Sequence, residues 1–493
     1  GGVTMSRRLA VSMGSVLSTV LLSVAFSAPV VNRDGSTAEK DLPSCLKHML
    51  GDGECQFVCN NEAHNFDGGD CTRHQDTAAH GSCDSRLGLG WLRKFRDTKR
   101  SLCTDGAAAA DMYRVDAQNC GPGNNKADVV VLTDVQVSWD KSAQRFRIKT
   151  ACKIDERSFE DYKGTPTSVN EGPFLLDGST GPPPECTSWE SDPAILVIDP
   201  RNEYLDNMYH ASEEIFSLFE TAQITGTPLE MSRLIFGSSG TGQYLQMHGQ
   251  VENGAASLPP GFGSAREQIV DMFSVIVRRT RTNRLPALPA PTDRPTCFRK
   301  LVLPMRACHG SIGPASWERT QFCPHGNAIA EGVSHAVRHA FGLTRSVSPE
   351  QLQVTVLTRS SATKRVLRNG DAVKRAIESA LPGRKVELVT LDRMSFVSQM
   401  RLLHRTAVLV GPHGAGMSLL LFLPRGAGVV ESTSHPPPWG SQRSVAHIFW
   451  QYAMWTNHPY GHVSPAETPA PGVVAGKVRE MFTRAEEAAR AVQ

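Results

Sequence analysis

The last third of the chain alternates short apolar runs with segments whose apolar residues recur at helical spacing. The runs QVTVLT, KVELVT, TAVLVG and AGVVES have the length and β-branched content of buried strands. The segments DAVKRAIESAL, SFVSQMRLLHR and AGMSLLLFL are predicted to be helices. Because alternating strands and helices pack as a parallel sheet covered by helices, this pattern predicts an α/β fold.

One loop in this region is rich in glycine. The sequence GPHGAG, residues 411–416, follows a predicted buried strand and precedes a predicted helix. At the carboxyl edge of a parallel sheet, glycines let the backbone approach a phosphate, and the first helical N–H groups favour an anion. The same residues also suit a purely structural tight turn. The spacing differs from the dinucleotide fingerprint G-x-G-x-x-G, which makes a nicotinamide-dependent enzyme the weaker alternative.

The region before this sheet also contains strand and helix patterns. ADVVVLTDVQVSW and RFRIKT are predicted to be paired strands, and AILVID and SRLIFG to be strands on either side of a helix. Residues 72–126 are polar and lack sustained periodicity. We therefore predict a linker or stem over 72–126, a first α/β domain over 127–296 and a second over 297–480.

The N-terminal region carries a targeting pattern. Met5 is followed by Arg7, Arg8 and a mostly apolar run that ends at Pro29. This order is typical of a secretory signal, so residues 5–29 are predicted to be either a cleaved signal peptide or a signal anchor. The chain is therefore expected in the lumen of the endoplasmic reticulum or Golgi, as a type II membrane protein if the segment is an anchor.

Charge and cysteine content narrow the function classes. The 52 Lys and Arg residues nearly balance the 49 Asp and Glu residues, so no strong field favours nucleic acid, and no nucleic-acid partner is expected. The 12 cysteines agree with an oxidising compartment.

Four of these cysteines lie in CLKHMLGDGECQFVCNNEAHNFDGGDC, residues 45–71. This segment resembles a Lin-12/Notch repeat, a small disulfide-rich calcium-binding module, although His64 stands where the fifth of six cysteines would be. The resemblance implies two disulfides, Cys45–Cys59 and Cys55–Cys71, and calcium ligands among Asp67, Asp70 and Asn61. The alternative is a disulfide loop that binds no metal.

Three further segments carry a second resemblance. LTRSSATKRVLRN, GPHGAGMSLLLFLPRGAGVVE and NMYHASEE resemble ordered motifs of glycosyltransferase family 61. The resemblance implies two Rossmann-like domains that face each other (GT-B type), with acceptor binding in the first and nucleotide-sugar binding in the second. It also implies an inverting transfer of N-acetylglucosamine, xylose or arabinose from a UDP-sugar to a protein or glycan hydroxyl, with no catalytic cofactor. The sequence contains no Asp-x-Asp motif, which is the metal-bridging motif of other transferases.

The resemblance implies a donor site in the second domain. Such a site needs positive charge for the departing diphosphate, and a guanidinium group matches phosphate oxygens. The implied donor-site residues are Arg359, Arg365, His413, Gly414, Gly416 and, as a ribose contact, Glu431.

The resemblance also implies a catalytic pair, His210 and Glu214. The family has an aspartate four residues after its motif histidine, where this chain has Glu214. The glutamate would take the proton of the acceptor hydroxyl. The alternative is that Glu213 and Glu214 form the solvated face of a helix. If the Asp-to-Glu change marks lost activity, the chain is instead a secreted calcium-dependent binding protein.

Overall fold

The computed structural model describes fifteen stretches of the chain. These are residues 92–107, 109–116, 126–140, 145–154, 174–178, 186, 189–199, 207–229, 232–238, 272–273, 296–304, 326–343, 347–359, 365–434 and 448–492. The predicted signal segment, the Notch-repeat-like module and its cysteines and calcium ligands lie outside these stretches.

Fourteen strands are present in the described stretches. They are β1 (Arg100–Ser101), β2 (Ala110–Asp116), β3 (Lys126–Asp140), β4 (Arg145–Thr150), β5 (Phe174–Gly178), β6 (Trp189–Glu190), β7 (Ala194–Asp199), β8 (Arg233–Ser238), β9 (Thr296–Leu303), β10 (Gln353–Thr358), β11 (Lys385–Thr390), β12 (Thr406–Pro412), β13 (Gly428–Ser432) and β14 (Tyr460–Val463).

Seven α-helices and a long 3₁₀ helix accompany the strands in the same stretches. They are α1 (Arg93–Arg96), α2 (Met208–Thr225), α3 (Ala328–Ala340), α4 (Gly370–Ala380), α5 (Phe396–His404), the 3₁₀ helix (Ala415–Phe422), α6 (Ile448–Trp455) and α7 (Pro471–Val492). Shorter 3₁₀ turns occur at Pro349–Gln351 and Leu391–Arg393.

The C-terminal sheet confirms the predicted parallel α/β organisation. Its five strands run in the order β11-β10-β12-β13-β14, and every neighbouring pair is parallel. Parallel strands with both faces covered are apolar throughout, and β12 and β13 are buried along their whole length. The carboxyl ends of β10, β12, β13 and β14 therefore meet at one edge of the sheet.

Alternate residues of this sheet enter two separate cores. Val354, Val356, Val408 and Val410 face one side, where they pack with α4 and α7 residues such as Phe482. On the other side Leu357, Leu409 and Val429 join a core that also contains residues of α2, α3, α5, α6 and the 3₁₀ helix. The period of two along each strand explains this division.

The N-terminal sheet is mixed, with nine strands among the described residues. Its main path is β1-β2-β3-β9-β7-β8. Off this path, β4 pairs with β3, β5 pairs with β4, and β6 pairs with β9. The predicted pairing of β3 with β4 is confirmed and is antiparallel. One parallel crossover, β7–α2–β8, gives this region its Rossmann-like part. The Cys103–Cys152 and Cys186–Cys297 disulfides hold its periphery, in agreement with an oxidising compartment.

The two sheets share one helical layer. Helix α2 packs against the 3₁₀ helix and α3, and the core of this layer includes Val131, Ile195 and Val302 of the first sheet together with Leu409 and Val429 of the second. The described residues thus form a mixed α/β structure with a parallel sheet. The arrangement of two Rossmann-like domains across a cleft stays a prediction.

Sequence and structure differ at three places. Residues 100–116 lie in the predicted stem, yet β1 and β2 pair into the first sheet. Strand β9 also belongs to that sheet through β3, although the predicted second domain begins at residue 297. The segment predicted as the helix AGMSLLLFL is a 3₁₀ helix, whose Met417 N–H donates to the carbonyl of Gly414. Among the described helices, none is long and apolar enough to span a bilayer.

Candidate functional site

The glycine loop leaves the sheet edge at the carboxyl end of β12. Gly411 is closely surrounded, because a Cβ placed on it would lie 2.7 Å from Met417 Sδ and 3.1 Å from Leu357 Cβ. Gly416 is also near apolar groups, with Leu391 Cδ1 3.3 Å from the position of a Cβ. These two glycines therefore allow close packing of the loop against the sheet.

Gly414 faces different neighbours, the two predicted phosphate ligands. A Cβ placed on Gly414 would lie 3.9 Å from Nη1 of Arg359 and 3.9 Å from Cδ of Arg365. Both arginines are exposed. The order of the strands explains why Arg359 lies near the glycine loop. Arg359 directly follows β10, the loop follows β12, and these two strands are neighbours in the sheet. The structure thus brings Arg359, Arg365 and the glycine loop together. Their role as phosphate ligands stays a prediction.

Arg365 has a constrained backbone. Its φ of 59° lies in the left-handed region, which non-glycine residues adopt at a cost of about 1–2 kcal/mol. Its N–H donates to Glu467 Oε1 over 2.9 Å, and Arg368 Nε donates to Glu467 Oε2 over 2.7 Å. The hydrogen bond from Arg368 is the main reason why the pKa of the Glu467 carboxyl is lowered.

His413 is held by a buried carboxylate. Its Nδ1 lies 2.5 Å from Oε1 of Glu431, and the hydroxyl of Tyr460 donates to Oε2 over 2.5 Å. Glu431 has no solvent exposure, whereas 13% of the His413 side chain is exposed. With Nδ1 engaged by the carboxylate, Nε2 is the ring nitrogen that remains for a ligand. The ribose contact predicted for Glu431 stays a prediction, since in this structure both its oxygens have protein partners.

Tyr460 is neutral in this environment. Burial raises the pKa of Tyr460 well above its usual value, and the charge of Glu431 and the hydrogen bond to it act in the same direction. A neutral phenol keeps its proton for the carboxylate, which gives Glu431 a stable donor on the side away from His413.

The second predicted group of site residues lies on α2. Asn207 caps this helix through a hydrogen bond from the N–H of Tyr209 to its side chain, and His210 is in the first turn. Glu214 is 2% exposed and Glu213 4% exposed. The alternative of a solvated helix face is therefore wrong, because α2 lies between the two sheets and both carboxylates are buried.

The aromatic residue Phe449 on α6 links the two groups. Its ring centroid lies 5.1 Å from that of His413 and 6.4 Å from that of Tyr209. Tyr452, one turn along α6, contacts Tyr209 and forms a 2.9 Å hydroxyl–hydroxyl hydrogen bond with Ser212. Burial, followed by the charge of Glu213, raises the pKa of Tyr452 well above its usual value. The start of α2 and the glycine loop thus flank one aromatic wall.

Other polar groupings lack the features of a site. His335 and His339 stack on α3 with ring centroids 6.0 Å apart. They have no third metal ligand among the described residues, where the one grouping of three potential ligands is Cys103, Asp105 and Cys152. Those cysteines form a disulfide.

Sequence reasoning missed three residues that border or support the site. Tyr460, Glu467 and Phe449 lie outside every motif that pointed to function. Their signal in the sequence is weak, because each reaches the site through a contact between distant segments. The strand order β12-β13-β14 brings Tyr460 to Glu431.

The geometry defines a class of protein. A parallel sheet presents a glycine loop at its carboxyl edge, and two arginines and a histidine border that loop. Such a Rossmann-like domain suits a ligand that carries phosphate.

Comparison with known families agrees with this class. Residues 282–430 match the family model described as Glycosyltransferase 61, and residues 40–72 match the LNR domain, which is the Lin-12/Notch repeat. Residues 282–430 are therefore similar to glycosyltransferase 61 proteins, and residues 40–72 to LNR domains. The match to the first extends from before β9 to Val430 within β13, and it includes Arg359, Arg365 and the glycine loop.

Curated relatives include proteins named EGF domain-specific O-linked N-acetylglucosamine transferase. The chain is 34% identical to the Xenopus laevis protein over 110 residues, which are 22% of this chain and 21% of that relative. It is 28% identical to the Drosophila melanogaster protein over 137 residues, which are 27% of this chain and 25% of that relative. The Mus musculus protein is 34% identical over 106 residues, 21% of this chain and 20% of the relative. The chain thus matches about a fifth to a quarter of the length of these relatives.

Proposed function

We propose that this chain is an inverting, metal-independent glycosyltransferase that moves a sugar from a UDP-sugar to a hydroxyl group of a protein or glycan in the secretory pathway. The observation that carries the proposal is the meeting of Arg359, Arg365 and Gly414 at the carboxyl edge of the parallel sheet. The glycosyltransferase 61 match covers the same residues.

The two arginines are proposed to bind the diphosphate of the donor. Displacement at the sugar carbon leaves negative charge on the departing diphosphate, and guanidinium groups stabilise that charge through paired N–H donors. His413 adds a third group beside them, with its ring orientation fixed by Glu431. This set supplies positive charge from side chains, and the sequence offers no Asp-x-Asp motif for a metal.

Glu214 is proposed as the base that takes the proton from the acceptor hydroxyl, with His210 beside it in the first turns of α2. Tyr209 in the first turn of the same helix contacts Phe449, whose ring also lies beside His413, so one aromatic residue joins the start of α2 to the proposed donor site. Inversion requires the acceptor hydroxyl to attack the sugar carbon from the side opposite the departing diphosphate, and the proposed base must take the hydroxyl proton on that side.

N-acetylglucosamine is the proposed donor sugar and an EGF-like domain the proposed acceptor. Both follow from the names of the curated relatives, of which this chain matches only a part. Xylose and arabinose stay in the test panel, because no described contact selects among sugars. Calcium is proposed for the LNR domain alone, where Asp67, Asp70 and Asn61 would be its ligands.

Release of UDP from a panel of UDP-sugars tests this function. The purified chain is assayed with and without an EGF-like acceptor and with and without EDTA. The variant Arg359→Ala removes one diphosphate ligand, and Arg484→Ala, an exposed α7 arginine paired with Glu480, is the matched control. We expect release from one donor that persists in EDTA, is lost in Arg359→Ala and is kept in Arg484→Ala.

Three outcomes would contradict the proposal or part of it. Full activity in Arg359→Ala would exclude the assigned diphosphate site. No release from any donor by folded protein with acceptor present would favour the alternative, a calcium-dependent binding protein with an inactive transferase domain. Loss of release in EDTA would refute metal independence alone.

A further inference from the structure

We infer that Glu467 is a positioning residue that holds the guanidinium group of Arg365 at the glycine loop, so that affinity for the donor diphosphate depends on a carboxylate outside the binding site. This inference rests on the proposed function, because it assumes that Arg365 binds diphosphate. Glu467 lies on the segment that joins β14 to α7, here called the 464–470 segment.

Four hydrogen bonds tie the 464–470 segment to residues 365–369. The N–H of Arg365 donates to Glu467 Oε1, and Arg368 Nε donates to Glu467 Oε2. The N–H of Arg368 donates to the carbonyl of Glu467 over 2.8 Å, and the Asn369 side-chain amide donates to the carbonyl of Pro469 over 2.8 Å. Glu467 is the partner in three of these contacts, so its side chain and its backbone act on the same turn.

The contact with the Arg365 N–H has a specific consequence for the arginine side chain. Arg365 adopts φ 59°, and without a compensating contact an L-residue relaxes from the left-handed region. A change of φ at Arg365 rotates the direction of its Cα–Cβ bond and moves Cδ away from Gly414, where it now lies 3.9 Å from the position of a Cβ. The hydrogen bond from the Arg365 N–H to Glu467 therefore helps to keep the Arg365 side chain, through its Cδ, beside Gly414.

The other end of the 464–470 segment is fixed to the strand that carries Glu431. The hydroxyl of Ser432 donates to the carbonyl of Ala466 over 2.5 Å and to that of Pro465 over 3.2 Å. The N–H of Ala466 donates to the Ser434 hydroxyl over 3.3 Å. The segment thus links the end of β13 to the arginine turn, and the two sides of the proposed diphosphate site share one support.

A matched ion pair distinguishes positioning from general stability. Glu486 on α7 pairs with Arg384, which follows α4, on the face of the second sheet covered by α4 and α7. Like Glu467, Glu486 is a partly exposed carboxylate. Glu486 joins α7 to Arg384, whereas Glu467 joins the segment before α7 to residues 365–369. Glu486 has no described contact with the glycine loop or with residues 365–369. Loss of Glu486 therefore costs stability without moving Arg365.

The experiment measures UDP binding by isothermal titration calorimetry on the full chain. Glu467→Ala, Glu467→Gln and Glu486→Ala are compared with the unmodified protein, and thermal unfolding is recorded for each. We expect Glu467→Ala to weaken UDP binding about tenfold, within the ~10²-fold that a misplaced binding group can cost. Glu467→Gln should be intermediate, because its amide oxygen still accepts one hydrogen bond. Glu486→Ala should lower the unfolding temperature and leave the Kd for UDP unchanged.

The outcomes separate this inference from the proposed function. Absence of UDP binding by the unmodified protein would overturn both. UDP binding that is equal in the unmodified protein and in Glu467→Ala would overturn the positioning role and leave the proposed function intact. Equal weakening in Glu467→Ala and Glu486→Ala would also overturn it, because general destabilisation would then account for the loss.

Discussion

Mild acid should destabilise this protein through one buried histidine, His458. The residue lies between α6 and β14, and its N–H donates to the carbonyl of Ala453 over 2.7 Å. The residue is 6% exposed. Burial lowers the pKa of His458 from 6.5 to about 4, and the positive charge of Arg338 on α3 acts in the same direction. The nearby carbonyl groups of Ala427 and Leu420 offset part of this effect.

The sign of the effect follows from proton linkage. The unfolded chain binds a proton at His458 below pH 6.5, whereas the folded chain binds it only near pH 4. Stability from this residue is therefore present above pH 6.5 and is lost as the pH falls toward 4. The linkage relation gives a loss of about 2 kcal/mol in the free energy of unfolding between pH 7.5 and pH 5, and about 3 kcal/mol by pH 4.

Urea denaturation followed by tryptophan fluorescence measures this loss. Trp455 is fully buried in the same core and reports unfolding. The unmodified protein is compared with His458→Gln at pH 7.5 and pH 5, and His335→Gln, which removes an exposed histidine, is the control. The loss between the two pH values should be about 2 kcal/mol smaller in His458→Gln than in the unmodified protein. Equal losses in these two proteins would refute the reasoning, as would a reduced loss in His335→Gln.

Two further predictions concern the site and its support. Tyr460→Phe removes one hydrogen bond from the buried carboxylate of Glu431 and should lower the free energy of unfolding by about 1.5–3 kcal/mol; urea denaturation at pH 7.5 measures it, and a change below ~0.5 kcal/mol would contradict the assigned contact. Gly411→Ala places a Cβ 2.7 Å from Met417 Sδ and should cost about 1–3 kcal/mol. The control Gly476→Ala, on an exposed turn of α7 with no atom within 4 Å, should be neutral or stabilising by up to ~1 kcal/mol, and equal effects of the two changes would refute the packing argument.

Local pattern was sufficient to predict four of the five strands of the second sheet, and it missed β14. β10 to β13 are apolar at strand length, and α4 and α5 show helical periodicity, so each element could be recognised within its own residues. Their alternation then implied parallel strands, which is what the sheet contains. The short strands β1 and β2 carried no such signal. β2 pairs with the long strand β3, and β1 pairs with β2. Pairing within the sheet therefore determines the conformation of both short strands.

The 3₁₀ helix shows why an apolar run does not determine helix type. Every residue from Met417 to Phe422 is buried, so the segment has no polar face from which a period could be recognised. A 3₁₀ helix rises about 2.0 Å per residue against 1.5 Å in an α-helix, and it therefore extends farther for the same number of residues. The distance between the glycine loop and Pro424 is a property of the tertiary structure, and the sequence pattern contains no information about it.

The proposed donor side of the site was predicted from motifs, whereas the residues that support it were not predicted. Arg359, Arg365 and His413 belong to segments that resemble a known family, and the structure brings them to one edge. Glu467 lies 102 residues from Arg365, and Tyr460 lies 29 residues from Glu431. Contacts at such separations depend on strand order and loop path, which no local pattern encodes.

The carboxylates of α2 decide how the proposed base must be tested. Glu214 and Glu220 are 2% and 1% exposed, and both have polar or electrostatic partners, as buried carboxylates require. Replacing either with glutamine therefore disturbs buried contacts, and loss of transfer in Glu214→Gln alone would be ambiguous. Six residues along a helix displace Glu220 by about 9 Å from Glu214, away from the turn that borders Phe449 and the glycine loop.

Glu220→Gln is therefore the matched control for Glu214→Gln. If Glu214 takes the acceptor proton, Glu214→Gln should reduce the rate of transfer by about 10²–10⁴-fold and preserve UDP binding. Glu220→Gln should lose as much stability as Glu214→Gln and still transfer sugar at the rate of the unmodified protein. Sugar transfer, UDP affinity and urea denaturation are measured on both variants. Equal loss of transfer in the two variants would assign both carboxylates to the packing of the shared layer, and the base would then lie elsewhere at the aromatic wall.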